Sequence, residues 1–311
     1  MDQITDILVI VNPLIRDQAA VAKAAALARW LGAGIELLIC DTSISREAHM
    51  EGELPCMSNA RRSDNLESLL GEIAEPLRDD GIDITTHVIS GDPLHEAVIH
   101  WMRNSPADLV VKDAHHHLIA RRAFATSTAR HLMRTCPVPI LLTKPRDWAT
   151  PPLLMAAVDP GHVNDAAAAL DHRILDVTAS MAQQFDMPPH AVHAYVPTMI
   201  ATAAVGGMLT MIGVSEEALA SEKQLRRAQI MHLTDEYGFV DANVHVDPGI
   251  APEYLPRMAA EWHADIVVMG AVSRSGLTRA VIGSTAERVL ETLPCDVLVV
   301  KSPDFAHNLP F

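Results

Sequence analysis

ADIVVMGAVSRSGLTRAVIGSTAERVLETLPCDVLVVK (264–301) holds a short β-branched run, a Gly/Ser-containing connection, a helix opening at Gly283-Ser284-Thr285 and a closing apolar run. At an offset of 157 stands ADLVVKDAHHHLIARRAFATSTARHLMRTCPVPILLTK (107–144). The two share their opening run, the Ser-Thr-Ala at 127–129 and 284–286, and the final apolar run. Matched blocks at one offset point to a duplication.

Working outward, each copy reads as strands alternating with helices. The first half predicts strands at 7–13, 35–43, 82–90, 107–112 and 138–144, with helices at 17–32, 63–81, 91–104 and 127–135. Gly32 and Gly81 supply helix stops, and Ser63 or Asp64 supplies a cap. The second half predicts strands at 153–160, 191–197, 242–246, 265–270 and 296–301, with helices at 163–185, 215–237, 252–262 and 284–292. Apolar strands alternating with amphipathic helices mean βαβ crossovers and a parallel sheet. The expected fold is α/β: two tandem five-stranded, doubly wound parallel-sheet domains. The first covers 1–146 and the second 153–311, joined by 147–152 within the polar, Pro-containing RDWATPP.

The 311 residues carry 39 acidic and 24 basic side chains, a net charge of -15. That excludes the basic footprint of a nucleic-acid groove. It fits a soluble acidic surface, which a high-salt host would also favour. Cys40, Cys56, Cys136 and Cys295 show no paired spacing, so reduced thiols are expected, with Cys40 and Cys295 as small core residues. The acidic start MDQITDILVIVNP is unlike a signal peptide, and no run reaches membrane-spanning length. A cytoplasmic protein without membrane contact is expected.

Ligands of doubly wound sheets bind outside the carboxyl ends of the strands, at the switch point. In the second half those ends bring Asp159, Val196 and the 269–290 stretch together. Gly270 allows close backbone approach, and the Gly283-Ser284-Thr285 helix start offers free N–H groups and hydroxyls to an anion. The competing reading makes Ser284 an N-cap and Gly270 a turn residue. The stretch resembles the signature of the universal stress protein family: strand four, then Gly-x2-Gly-x9-Gly-Ser/Thr, a helix and a last strand. Gly270, Gly283 and Ser284 match it, while Ser273 stands where the second glycine belongs.

The resemblance spans essentially the whole chain in tandem. It implies an adenine nucleotide alpha hydrolase-like fold, an internal pseudo-dimer contacting through 138–144 and 296–301, and possible further homodimerisation. It also implies ATP with Mg²⁺ as the candidate ligand of the second half. Asp159 and Val196 would lie at adenine and ribose; Gly270, Ser273, Gly283, Ser284 and Thr285 would lie at the phosphates. The first-half counterparts are Asn12, Asp113, His116 and Thr126, and an acidic residue at the phosphate position predicts no nucleotide there.

Three adjacent histidines, 115–117, diverge after a strand and lack the spaced ligand set of a metal site. The apolar stretch 199–214, MIATAAVGGMLTMIGV, reads as a buried interface or as a wall for an apolar ligand or protein partner. No nucleophile elbow, Walker lysine or HExxH is present, so binding rather than catalysis is expected.

Overall fold

The computed structural model describes residues 4–15, 17–42, 56–114, 127–160, 165–198, 215–270, 284–302 and 305. The chain divides into two units, Asp2–Asp147 and Trp148–Asn308. In the first, β1 (Asp6–Ile10), α1 (Ala19–Leu31), β2 (Gly34–Asp41), α2 (Cys56–Asp79), β3 (Ile84–Ser90), α3 (Leu94–Trp101), β4 (Leu109–Asp113), α4 (Ser127–Thr135) and β5 (Ile140–Thr143) follow in order. Every strand pairing is parallel, in the order β3-β2-β1-β4-β5.

The second unit repeats this with β6 (Leu154–Ala157), α5 (Asp165–Phe185), β7 (His190–Tyr195), α6 (Glu216–Asp235), β8 (Val244–Pro248), α7 (Ala251–Glu261), β9 (Ile266–Gly270), α8 (Ser284–Thr292) and β10 (Asp296–Val300). Its order is β8-β7-β6-β9-β10, again all parallel. The strand order runs outward in opposite senses from strand one and strand four, which fixes the crevices at β1/β4 and β6/β9.

Strands β4, β5 and β10 are buried over nearly their whole length, as sheets covered on both faces require. Leu8, Val110, Leu141, Val267 and Val297 are fully enclosed. Each such side chain contributes roughly 1.5–3 kcal/mol through removal from water. In α1 the stripe Ala20, Ala24, Leu27, Ala28 and Leu31 faces inward, a helical spacing of apolar positions. The helix ends at Gly32, with φ 67° and its N–H donated to the Ala28 carbonyl. Gly81, at φ 83°, ends the second helical segment in the same left-handed conformation.

Most element bounds shift by one to three residues from the sequence expectation, and two departures have an identifiable cause. Helix α2 begins at Cys56, so Ser63 and Asp64 lie inside it and are not its caps. Met, Ala and Arg between them are good helix formers and carry the helix past the local cap signal. Strand three of the second unit is 244–248 rather than 242–246, because Asp241–Asn243 form a turn of 3-10 helix. Arg227 pins that turn, donating to the carbonyls of Val244 and Asp241. Arg78 does the same for the Ile84 carbonyl at 3.1 Å. In both units an arginine from the second long helix thus occupies the first carbonyl of the sheet's edge strand, one way of blunting an open edge.

Candidate functional site

At the crevice of the first unit the chain's own side chains satisfy one another. The Gln18 amide brackets the turn after β1: Oε1 accepts from the Asn12 N–H at 2.8 Å, and Nε2 donates to the carbonyls of Asn12 and Ile15 at 2.9 Å. Gln18 is also the N-cap residue of α1, but its side chain makes no cap bond. The cap comes from across the crevice. Asp113 Oδ1, at the end of β4, accepts from the Ala20 N–H at 2.9 Å and from the Thr143 hydroxyl at 2.8 Å. A carboxylate on the first turn of a helix satisfies an orphan N–H and sits favourably in the helix dipole.

Two buried lysines complete this arrangement. Lys23 donates to the Lys144 carbonyl at 2.7 Å. Lys112 is pushed below the usual lysine range by burial, against the pull of Asp113. An acidic residue at this place was the reason to expect no phosphate here, and the geometry adds a structural duty for it.

The second unit has the same backbone frame with different side chains. Val158 N–H donates to the Val192 carbonyl at 3.1 Å, as Val11 N–H does to Leu38 at 2.9 Å. Asp159 therefore answers to Asn12. Its N–H is held by Asp171 Oδ1 at 3.0 Å, while its carboxylate is 39% exposed. Gly270, the counterpart of Asp113, has no room for a side chain: a Cβ would lie 2.4 Å from Leu170 Cδ2. The missing Cβ thus accommodates a leucine from α5.

Beyond β7, Val196 is 45% exposed. Thr198 is held by Glu222, which accepts from both its N–H and its hydroxyl. Tyr195, the last residue of β7, is buried beneath the Arg226 guanidinium, 5.8 Å from the ring centre. Ser284 and Thr285 open α8. Ser273, Gly283, His116 and Thr126 lie outside the described residues, as do 199–214 and His115 to His117. Asp159, Val196 and Gly270 stand at the ends of strands one, two and four of one sheet.

Sequence reasoning missed His193. It sits inside β7, 2% exposed, with Nδ1 3.0 Å from the Val158 carbonyl and 3.9 Å from Asp159 Oδ1. A lone histidine in an apolar strand gives no warning of this contact, which exists only once β6 and β7 pair.

A second polar cluster lies near the opposite, amino ends of the strands. In the first unit Glu36 accepts from Trp101 Nε1 at 2.7 Å and Ser105 Oγ at 2.8 Å, with His87 Nε2 at 3.7 Å. In the second unit His190 stands in place of Glu36 and His245 in place of His87. Their nitrogens are 3.1 Å apart, and Trp262 lies over His245 with ring centres 3.9 Å apart.

Comparison with known proteins agrees with this architecture. The profile of the universal stress protein family matches residues 4–144 and again 155–301. Universal stress protein E of Escherichia coli (strain K12) is 28% identical over 302 residues, covering 96% of this chain and 94% of its own. Its namesake in Photorhabdus laumondii is 26% identical over 308 residues, covering 96% of each. Among solved structures, a functionally unknown protein from Pseudomonas aeruginosa PAO1 superposes with a TM-score of 0.70 at 28% identity, covering 98% of this chain and 95% of its own. A universal stress protein from Archaeoglobus fulgidus DSM 4304 shares the fold, with a TM-score of 0.63 at 17% identity and coverage of 96% and 97%. With two profile matches filling the two repeated sheets, the chain belongs to the universal stress protein family, as a tandem of two of its domains.

Proposed function

We propose that the second domain takes up an adenine nucleotide, ATP with Mg²⁺, that the first domain does not, and that the protein supports stress survival by binding rather than turnover. In this reading Asp159 and Val196 meet the nucleoside. Gly270, Ser273, Gly283, Ser284 and Thr285 form the phosphate side. The observation that carries it is the contrast between the two crevices. The second crevice has Gly270, without a charge, at the end of its fourth strand and the 39% exposed Asp159 at the end of its first, whereas the first crevice has Asp113 in the place of Gly270, accepting from Ala20 and Thr143. A carboxylate committed to a helix start and a hydroxyl repels a phosphate and also costs stability to displace. No helix among the described residues is long and apolar enough to cross a membrane.

Isothermal titration of the full chain with ATP and Mg²⁺ tests the reading. Binding to one site per chain is expected, with Gly283→Asp abolishing it and Asp113→Gly leaving it nearly unchanged. Absence of both heat and thermal shift at millimolar ATP ends it.

A further inference from the structure

We infer that His193 is a positioning residue of the second domain's ligand site, holding the Val158–Asp159 turn so that the Asp159 carboxylate faces a bound nucleotide. The inference rests on the nucleotide reading above and adds to it a residue outside the family signature.

The geometry is specific. His193 is 2% exposed on β7, next in line to the fully buried Ala191 and Val192. An imidazole in such a place costs stability unless its polar atoms are used. Nδ1 lies 3.0 Å from the Val158 carbonyl, which can only accept, so Nδ1 carries the proton. The same nitrogen is 3.9 Å from Asp159 Oδ1. On the other side, Asp171 on α5, 6% exposed, holds the Asp159 N–H at 3.0 Å. Two buried polar side chains from two elements therefore brace one two-residue turn, and the carboxylate that the turn presents remains partly open to solvent.

The first domain is the internal control. The Val11–Leu38 and Val158–Val192 hydrogen bonds place the two frames in register. One residue further along each strand, Asn12 answers to Asp159 and Ile39 to His193. The domain with a carboxylate at the crevice has an imidazole beneath it. The domain without the carboxylate has an aliphatic side chain there, fully buried. A purely packing role for His193 would be served as well by the isoleucine that the other copy uses.

ATP affinity in the presence of Mg²⁺, measured by titration calorimetry on the full chain with a thermal melt of each variant, tests the inference. His193→Ile is expected to weaken binding about tenfold, a typical coupling for neighbouring residues. His193→Asn places an amide N–H near the position of Nδ1 and is expected to stay close to wild type. His193→Gln places its amide further out, near Nε2, and should behave like His193→Ile. Because His193 acts through Asp159, Asp159→Asn/His193→Ile should bind no more weakly than Asp159→Asn alone. Wild-type affinity in His193→Ile, or losses that multiply in the double variant, would overturn the inference and leave the nucleotide reading standing. If His193→Ile does not fold, the Asn-against-Gln comparison decides, and equal affinities overturn it. Wild-type protein that takes up no ATP removes the nucleotide reading and this inference with it.

Discussion

Acid should loosen the second domain through the His190–His245 pair. The facing nitrogens are 3.1 Å apart, so one donates and the other accepts, and a further proton has to enter a site that disfavours it. His245 is held down to about 4 by burial first, then by the His190 imidazole and by Arg227 from α6; Asp247, two residues along β8, pulls the other way. Trp262 from the end of α7 covers the ring. His190 is likewise lowered, by burial.

The folded domain thus keeps His245 neutral where the unfolded chain, with an ordinary imidazole near 6.5, binds a proton. Between those two values the unfolded state holds more protons, so stability rises with pH. The contribution is complete above about pH 6.5 and is lost as pH falls towards 4. The interval from 6.5 to about 4 sets a ceiling of about 3 kcal/mol, and partial exposure of the ring brings the expectation to about 2 kcal/mol.

Urea unfolding of the full chain at pH 7 and pH 5 measures this, with His245→Asn as the reference that removes the titration while other carboxylates respond alike. Wild type should lose about 1–2 kcal/mol more than His245→Asn across that interval. His190→Glu copies the first domain, where Glu36 lies 3.7 Å from His87. It should relieve part of the lowering of His245, so that the loss of stability between pH 7 and pH 5 becomes smaller than in wild type. Equal pH dependence in wild type and His245→Asn would refute the argument, as would a wild-type slope in His190→Glu.

Asp113→Ala strips the Ala20 N–H of its side-chain acceptor and the Thr143 hydroxyl of its nearer one, and a loss of about 1–2 kcal/mol is expected in urea melts. Gly270→Ala drives a Cβ into Leu170, which should cost about 1–2 kcal/mol; trimming the obstacle in Gly270→Ala/Leu170→Ala should recover part of the difference, measured as a double-mutant cycle. The Cys40 thiol is pushed up to about 11 by burial and by Asp41 and Asp92, so maleimide labelling read by mass spectrometry at pH 8 should spare it in the native protein and modify it in urea.

Much of the fold was written in periodicity and punctuation. Alternating apolar runs named the strands, and Gly32 and Gly81 named two helix ends because each takes a left-handed conformation. The start of α2 was hidden, since good helix formers upstream of Ser63 outweighed a local cap signal. The site was harder to read for a geometric reason. The offset of 157 holds for strand four and beyond, but Leu8 answers to Met155 and Glu36 to His190. Loops of unequal length shift the earlier strands. His193 with Ile39, and His190 with Glu36, therefore fall out of line at the offset of 157, and their correspondence emerges from the sheet register.

That register also explains how one frame carries two chemistries. The backbone hydrogen bond that follows strand one, Val11 to Leu38 and Val158 to Val192, recurs in both domains, while the side chains around it differ. Lys23 and Asp113 fill the first crevice with groups that find partners within the chain. In the corresponding part of the second, Leu170 packs against Gly270 and no carboxylate stands there. A polar ligand entering the first crevice has to displace satisfied bonds before it makes its own. In the second, Asp159 presents a partly exposed carboxylate, its turn braced by Asp171 and His193. Preorganisation of that kind lowers the ordering cost of binding, and the uptake proposed for the second domain would draw on it without any change in backbone fold.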